Sequence, residues 1–134
     1  MKKLVALALM TMSLGGCAVY DAYFMAKFDS NEYQYITRIR THAELGMPLC
    51  GTPDVKEHVK YIWVTAAEYK NYAELIPHNE DSYKLASTLI SITDDFYKRY
   101  QGDAQPSPIY CKAKFTAIDQ ASQNIQKVIG AKPR

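Results

Sequence analysis

Three histidines, His42, His58 and His78, are the side chains best suited to metal binding or proton transfer, and their spacing supports neither. They fall one to a segment, whereas a zinc or haem site wants close sets such as His-x-x-x-His, Cys-x-x-Cys or Cys-x-x-Cys-His. They read as exposed single residues, and no metal site or cofactor is expected. Gly-x-Ser-x-Gly, His-Glu-x-x-His and phosphate-cradling glycine loops do not occur in the sequence either. Asp94-Asp95 is a carboxylate pair, but adjacent helical residues point about 100° apart and do not share a site. A hydrolase whose carboxylates converge from distant positions stays open as an alternative. The favoured reading is not an enzyme.

The tyrosines are the more informative set. There are 11, and several, notably Tyr35, Tyr61 and Tyr72, fall beside the apolar stripes rather than on them. One account is a small core thickened by aromatics whose hydroxyls reach water. The other is a binding face, because tyrosine offers a large rigid contact with a polar tip.

The N-terminal residues bear on location. Met1-Lys2-Lys3 is a short positive region, and Leu4 to Leu14 is an apolar run broken by Thr11 and Ser13. The run is too short to span a bilayer, which takes about 20 residues, but it has the length and flanks of a secretory signal. It ends in Leu14-Gly15-Gly16-Cys17, which resembles the lipobox of bacterial lipoproteins. The resemblance covers only these first 17 residues. It implies that residues 1–16 are a removed signal peptide, that Cys17 is acylated on its sulfur and new amino terminus, and that residues 17–134 form the mature domain. In enteric lipoproteins an Asp after the cysteine retains the protein in the inner membrane. Ala18 stands here, so the resemblance implies the periplasmic face of the outer membrane, with the inner membrane as the alternative. Several acyl chains, at about 0.8 kcal/mol per buried methylene, make a permanent tether.

The mature chain has about 118 residues, one ordinary domain by length. Lys2 and Lys3 leave with the signal, so 14 basic residues face 14 acidic ones. A domain so close to neutral has no electrostatic footprint for nucleic acid. Once Cys17 carries lipid, Cys50 and Cys111 are left in an oxidising compartment and are expected to form a disulfide. Two separate buried thiols are the alternative.

Periodicity supplies the framework for these residues. From Val19, the residues Tyr20, Phe24, Phe28, Ile36, Ile39 and Ala43 fall mostly on one helical stripe. Asp29-Ser30-Asn31-Glu32 can interrupt it, with Ser30 or Asn31 as a cap, so residues 19–45 form one helix or two, ending at Gly46-Met47-Pro48. Thr52 and Pro53 predict the start of a second helix, whose stripe is Val55, Val59, Ile62, Ala66, Tyr69 and Ala73. Asn79 predicts the cap of a third, with Leu85, Ala86, Leu89, Ile92, Phe96 and Tyr100 inside. Ser107-Pro108 opens a fourth, lined by Ile109, Phe115, Ile118, Ser122, Ile125 and Ile129, with Gly130 at its end and a short polar tail beyond. Four rods of 22 to 27 residues with short links predict an all-α, four-helix antiparallel up-down bundle. In that topology the second and fourth helices start at the same end, where Cys50 and Cys111 lie.

The expectation assembled from these residues is a lipid-anchored binding or scaffold lipoprotein that recruits a protein or envelope partner through a Tyr-rich face. Tyr20, Tyr23, Phe24 and Phe28 follow the anchor so closely that they are candidate membrane-proximal aromatics. A phage- or plasmid-encoded lipoprotein, acting as a spanin-like lysis subunit or in exclusion of a second infection, is the alternative within the binding class.

Overall fold

In the computed structural model, residues 25–102 and 104–134 are described; Cys17, Tyr20, Tyr23 and Phe24 lie outside them. Four helices follow in order, α1 Ser30–Gly46, α2 Val55–Glu74, α3 Glu80–Arg99 and α4 Pro108–Gly130, with a short 3-10 turn at Met47–Leu49. No strand occurs among the described residues. Each helix packs against its neighbour in sequence and α4 returns to α1, so the chain closes an up-down antiparallel ring.

The buried faces follow the periodicity. Every residue of the stripe from Val55 to Ala73 is buried, as are Leu89 and Phe96 of α3, Tyr100 just after it, and Phe115, Ile118, Ser122, Ile125 and Ile129 of α4. Phe115 meets Phe96 edge-on at 5.0 Å and 89°, the favourable aromatic geometry. Across the α2–α3 seam Trp63 lies flat on Tyr97, with ring centroids 4.3 Å apart and planes 3° from parallel. Ile109 departs from expectation: it is 83 % exposed, because the buried stripe runs back from Phe115 to Cys111 and a residue two positions from Cys111 falls about 200° round the helix, on the outer side.

Helix ends differ from the predicted ones in instructive ways. Asp29 caps α1, its Oδ1 accepting from Asn31 N at 2.7 Å, so neither Ser30 nor Asn31 is the cap. Residues 26–29 are not helical, and within the described residues the first segment is a single helix of 17 residues. Thr52 does not cap α2. Its hydroxyl and its N–H both go to Leu49 O, closing the preceding turn, and the helix begins three residues later. Asn79 stands at the N-cap of α3 but turns its side chain inward. Ser107 caps α4 as expected, accepting from Tyr110 N at 3.2 Å. The rods are therefore 17 to 23 residues long, about 26 to 35 Å, shorter than their apolar patterns suggest.

The two ends of the bundle are fastened differently. At one end Cys50, just after the 3-10 turn, is bonded to Cys111 in the first turn of α4, with Cα atoms 5.7 Å apart. Gly51 makes that crossing possible: its φ of +98° is open to glycine, and a Cβ there would stand 3.1 Å from Pro108. At the other end Lys132 lies buried instead of trailing in a polar tail, and its Nζ is 2.6 Å from both Glu32 Oε2 and Asn79 Oδ1. Asn79 Nδ2 completes the set by donating to Glu32 Oε1 at 2.7 Å and to Ala73 O. Burial and the nearby Glu32 carboxylate hold the Tyr69 phenol well above its ordinary range.

Candidate functional site

Tyr35, Arg38 and His42 stand at three- and four-residue steps on α1, and Tyr61 and Tyr72 stand eleven residues apart on α2, so all of them line the outer α1–α2 seam. The seam has two stations. At the first, the Tyr35 and Tyr72 rings meet at 5.6 Å and 49°, and Tyr35 also contacts the buried Tyr69 at 6.3 Å. Tyr72 is held on both sides of its hydroxyl: it donates to Asp29 Oδ2 at 2.8 Å and accepts from Asn31 Nδ2 at 3.0 Å. The Arg38 guanidinium sits 5.8 Å from the Tyr35 ring centre, a cation-π distance. Asn31, Gln34, Tyr35, Arg38 and Tyr72 together line a shallow pocket of about 90 Å³.

Arg38 is the informative member. Arg40, two residues along, is engaged inward with Asp119 at 3.0 Å and Gln126 at 2.9 Å. Arg38 is exposed and makes no ion pair among the described residues. A planar cation backed by an aromatic ring, with amides and a phenol beside it, suits a carboxylate or a peptide carbonyl edge.

The second station lies about 16 Å along α2. There Tyr61 stacks on His42 at 3.7 Å and 20°, and His42 Nδ1 is 3.2 Å from His58 Nδ1. Leu45, 56 % exposed, follows His42 by one turn of α1. Tyr61 is therefore not in contact with Tyr35 and Tyr72, and the three predicted tyrosines share a seam rather than a single patch. Two of the histidines are likewise not isolated: His42 and His58 form a half-buried pair, brought together because the α1–α2 connection folds both onto the same seam. His78 is exposed in the α2–α3 turn with φ of +58°.

The histidine pair has a pH signature. Burial first, and the neighbouring His58 second, hold the His42 pKa below its ordinary 6.5. A base whose folded pKa is depressed takes up its proton more readily when unfolded, so stability is retained above about pH 6.5 and falls as pH drops through that value. Denaturant titrations between about pH 7.5 and 5.5 should show this decline, and His42→Gln should flatten it.

Of the aromatics expected near the membrane, only Phe28 falls within the described residues. It is half-buried against the core, 6.0 Å from Tyr33, and carries Arg134 over its outer face at 5.5 Å. Asp94 and Asp95 do not share a site: Asp94 pairs with Lys98 and Asp95 with Lys114, each at 2.6 Å. Among the described residues no three His, Cys, Asp or Glu side chains gather as a metal site.

Sequence reasoning found the tyrosines of the seam and missed Arg38, Leu45 and the histidine pair. Arg38 and Leu45 had a usable signal, since each stands at helical spacing from Tyr35 or His42. The pairing of His42 with His58 depends on how two helices meet and leaves no trace in spacing. Comparison with known proteins gives no match to a family model, a curated protein or a solved structure.

Proposed function

We propose that this chain is a lipid-anchored binding or scaffold lipoprotein at the periplasmic face of the outer membrane, holding a protein or envelope partner along its α1–α2 seam. The lipobox residues Leu14-Gly15-Gly16-Cys17 support the anchoring half. The observation that carries the binding half is Arg38, an exposed guanidinium lying against Tyr35 beside a small polar pocket while the neighbouring Arg40 is bound inward. An exposed arginine with an aromatic support, once a partner covers it, is the kind of residue that dominates interface energetics.

The division of labour is physical. The acyl chains fix position and concentrate the protein on a surface, which raises the effective concentration of any partner on that surface. The seam supplies selectivity through aromatic area and one cation. No helix among the described residues is long and apolar enough to cross a membrane.

Crosslinked envelopes from cells carrying the wild type, Cys17→Ser and a Tyr35→Ala/Arg38→Ala variant test both halves. The wild type should capture a neighbour that both variants lose by about tenfold or more, while the seam variant still floats with membranes. Identical neighbours from wild type and Cys17→Ser would overturn recruitment by anchoring. Unchanged capture by the seam variant would remove the seam from the account.

A further inference from the structure

The membrane-facing end of the bundle can be identified from where the chain enters it. Ala26 N donates to His78 O at 3.1 Å and Phe28 N donates to Pro133 O at 2.8 Å. These bonds fasten residues 26–28 to the α2–α3 turn and to the C-terminal tail, so the chain arrives at the end of the bundle opposite the disulfide. From Cys17 to Met25 is eight residues, a reach of at most about 28 Å even fully extended. The disulfide lies a helix length, about 30 Å, farther on.

Apolar side chains stand uncovered at both ends, Leu45 and Ile109 at the disulfide end and Leu75 and Met25 at the entry end, and only the entry pair lies where the short tether delivers the chain. Leu75, at the close of α2, is 85 % exposed and Met25 is 43 % exposed, with Ile76 half-buried next to Leu75. Lys27 and Arg134 are exposed there too, but so are Glu74, Glu80 and Asp81. Charge of both signs leaves little net attraction to anionic headgroups, so burial of the apolar side chains is the favourable term.

We propose that this end rests on the phospholipid surface, with Leu75 and Met25 in the interfacial layer and the disulfide end pointing away. The inference depends on the anchoring reading, since acylation at Cys17 is what keeps the end within reach of lipid. It assigns an orientation that anchoring alone does not: a tether of that length permits the domain to stand off, lie flat or dock. Docking sets the Tyr35–Tyr72 station close to the bilayer and the Tyr61–His42 station farther out.

Tryptophan reporters in the full-length acylated protein decide among these. Leu75→Trp and Ile109→Trp, each in a Trp63→Phe background, place the reporter at equally exposed positions on opposite ends. The vesicles are phosphatidylcholine alone or with phosphatidylglycerol, with and without lipid brominated near the glycerol end of its acyl chains. Leu75→Trp emission should shift to the blue and fall by about half with brominated lipid, in both vesicle types, while Ile109→Trp stays unchanged. Flotation of the protein with neither reporter quenched overturns docking and leaves anchoring intact. Equal quenching of both reporters means the domain lies on its side, which also overturns it. A Leu75→Trp shift that follows protein concentration without lipid would assign the end to a second copy of the chain. Failure of both proteins to float removes anchoring and docking together.

Discussion

Lys132→Met alone should lower the unfolding free energy by about 3–5 kcal/mol, a loss large enough to threaten a domain of this size. Among the described residues Lys132 is the only cation bonded to the fully buried Glu32, and Asn79 accepts its second hydrogen bond. Removing it strands a carboxylate where water does not reach. Glu32→Leu combined with Lys132→Met should recover most of the loss, because a buried pair costs nearly as much to desolvate as it returns. Urea titration of the two single variants and the double variant gives the coupling directly. A single-variant cost under about 1 kcal/mol would show that Glu32 is hydrated in solution, against the burial described above. Deleting residues 132–134 should match Lys132→Met and add the loss of the Phe28 N to Pro133 O bond.

Converting both Cys50 and Cys111 to alanine should cost about 4 kcal/mol in the chain-entropy model, given their separation of 61 residues. For a domain of this length that is a fall in Tm of roughly 10–20 °C. Because the bond and the Lys132 network sit at opposite ends, their losses should add. A shift below about 5 °C would mean that the unfolded chain is already restrained.

The fold class was legible because each helix carries its own apolar period. Ile36, Ile39 and Ala43, or Val55 through Ala73, declare a buried face with no knowledge of the neighbour. The disulfide was expected from the number of cysteines together with the oxidising compartment that the lipobox resemblance implies, and its position agrees with the bundle topology. What escaped was pairwise. Glu32 sits four residues before Ile36, on the apolar stripe itself, and Lys132 continues the spacing of Ile125 and Ile129. A charge on a stripe is a sign of a buried partner, but the partner is 100 residues away and only the folded ring brings it near. The start of α2 was misjudged for a related reason, since a local turn claims Thr52 first, whereas α3 starts where Asn79 predicts but a tertiary network takes the side chain that would have capped it. In the seam, tyrosines beside the stripes were visible, whereas their separation into two stations depends on which turns of α1 and α2 face each other.

The flat contact of Trp63 with Tyr97 has a practical corollary. It is the chain's single indole, shielded on one face by a ring belonging to the next helix. Separation of α2 from α3 would expose that face to solvent and change its emission, while fraying elsewhere would leave it untouched. The molecule thus carries a native optical gauge for one internal boundary, able to tell a bundle that opens like a hinge from one that melts as a unit.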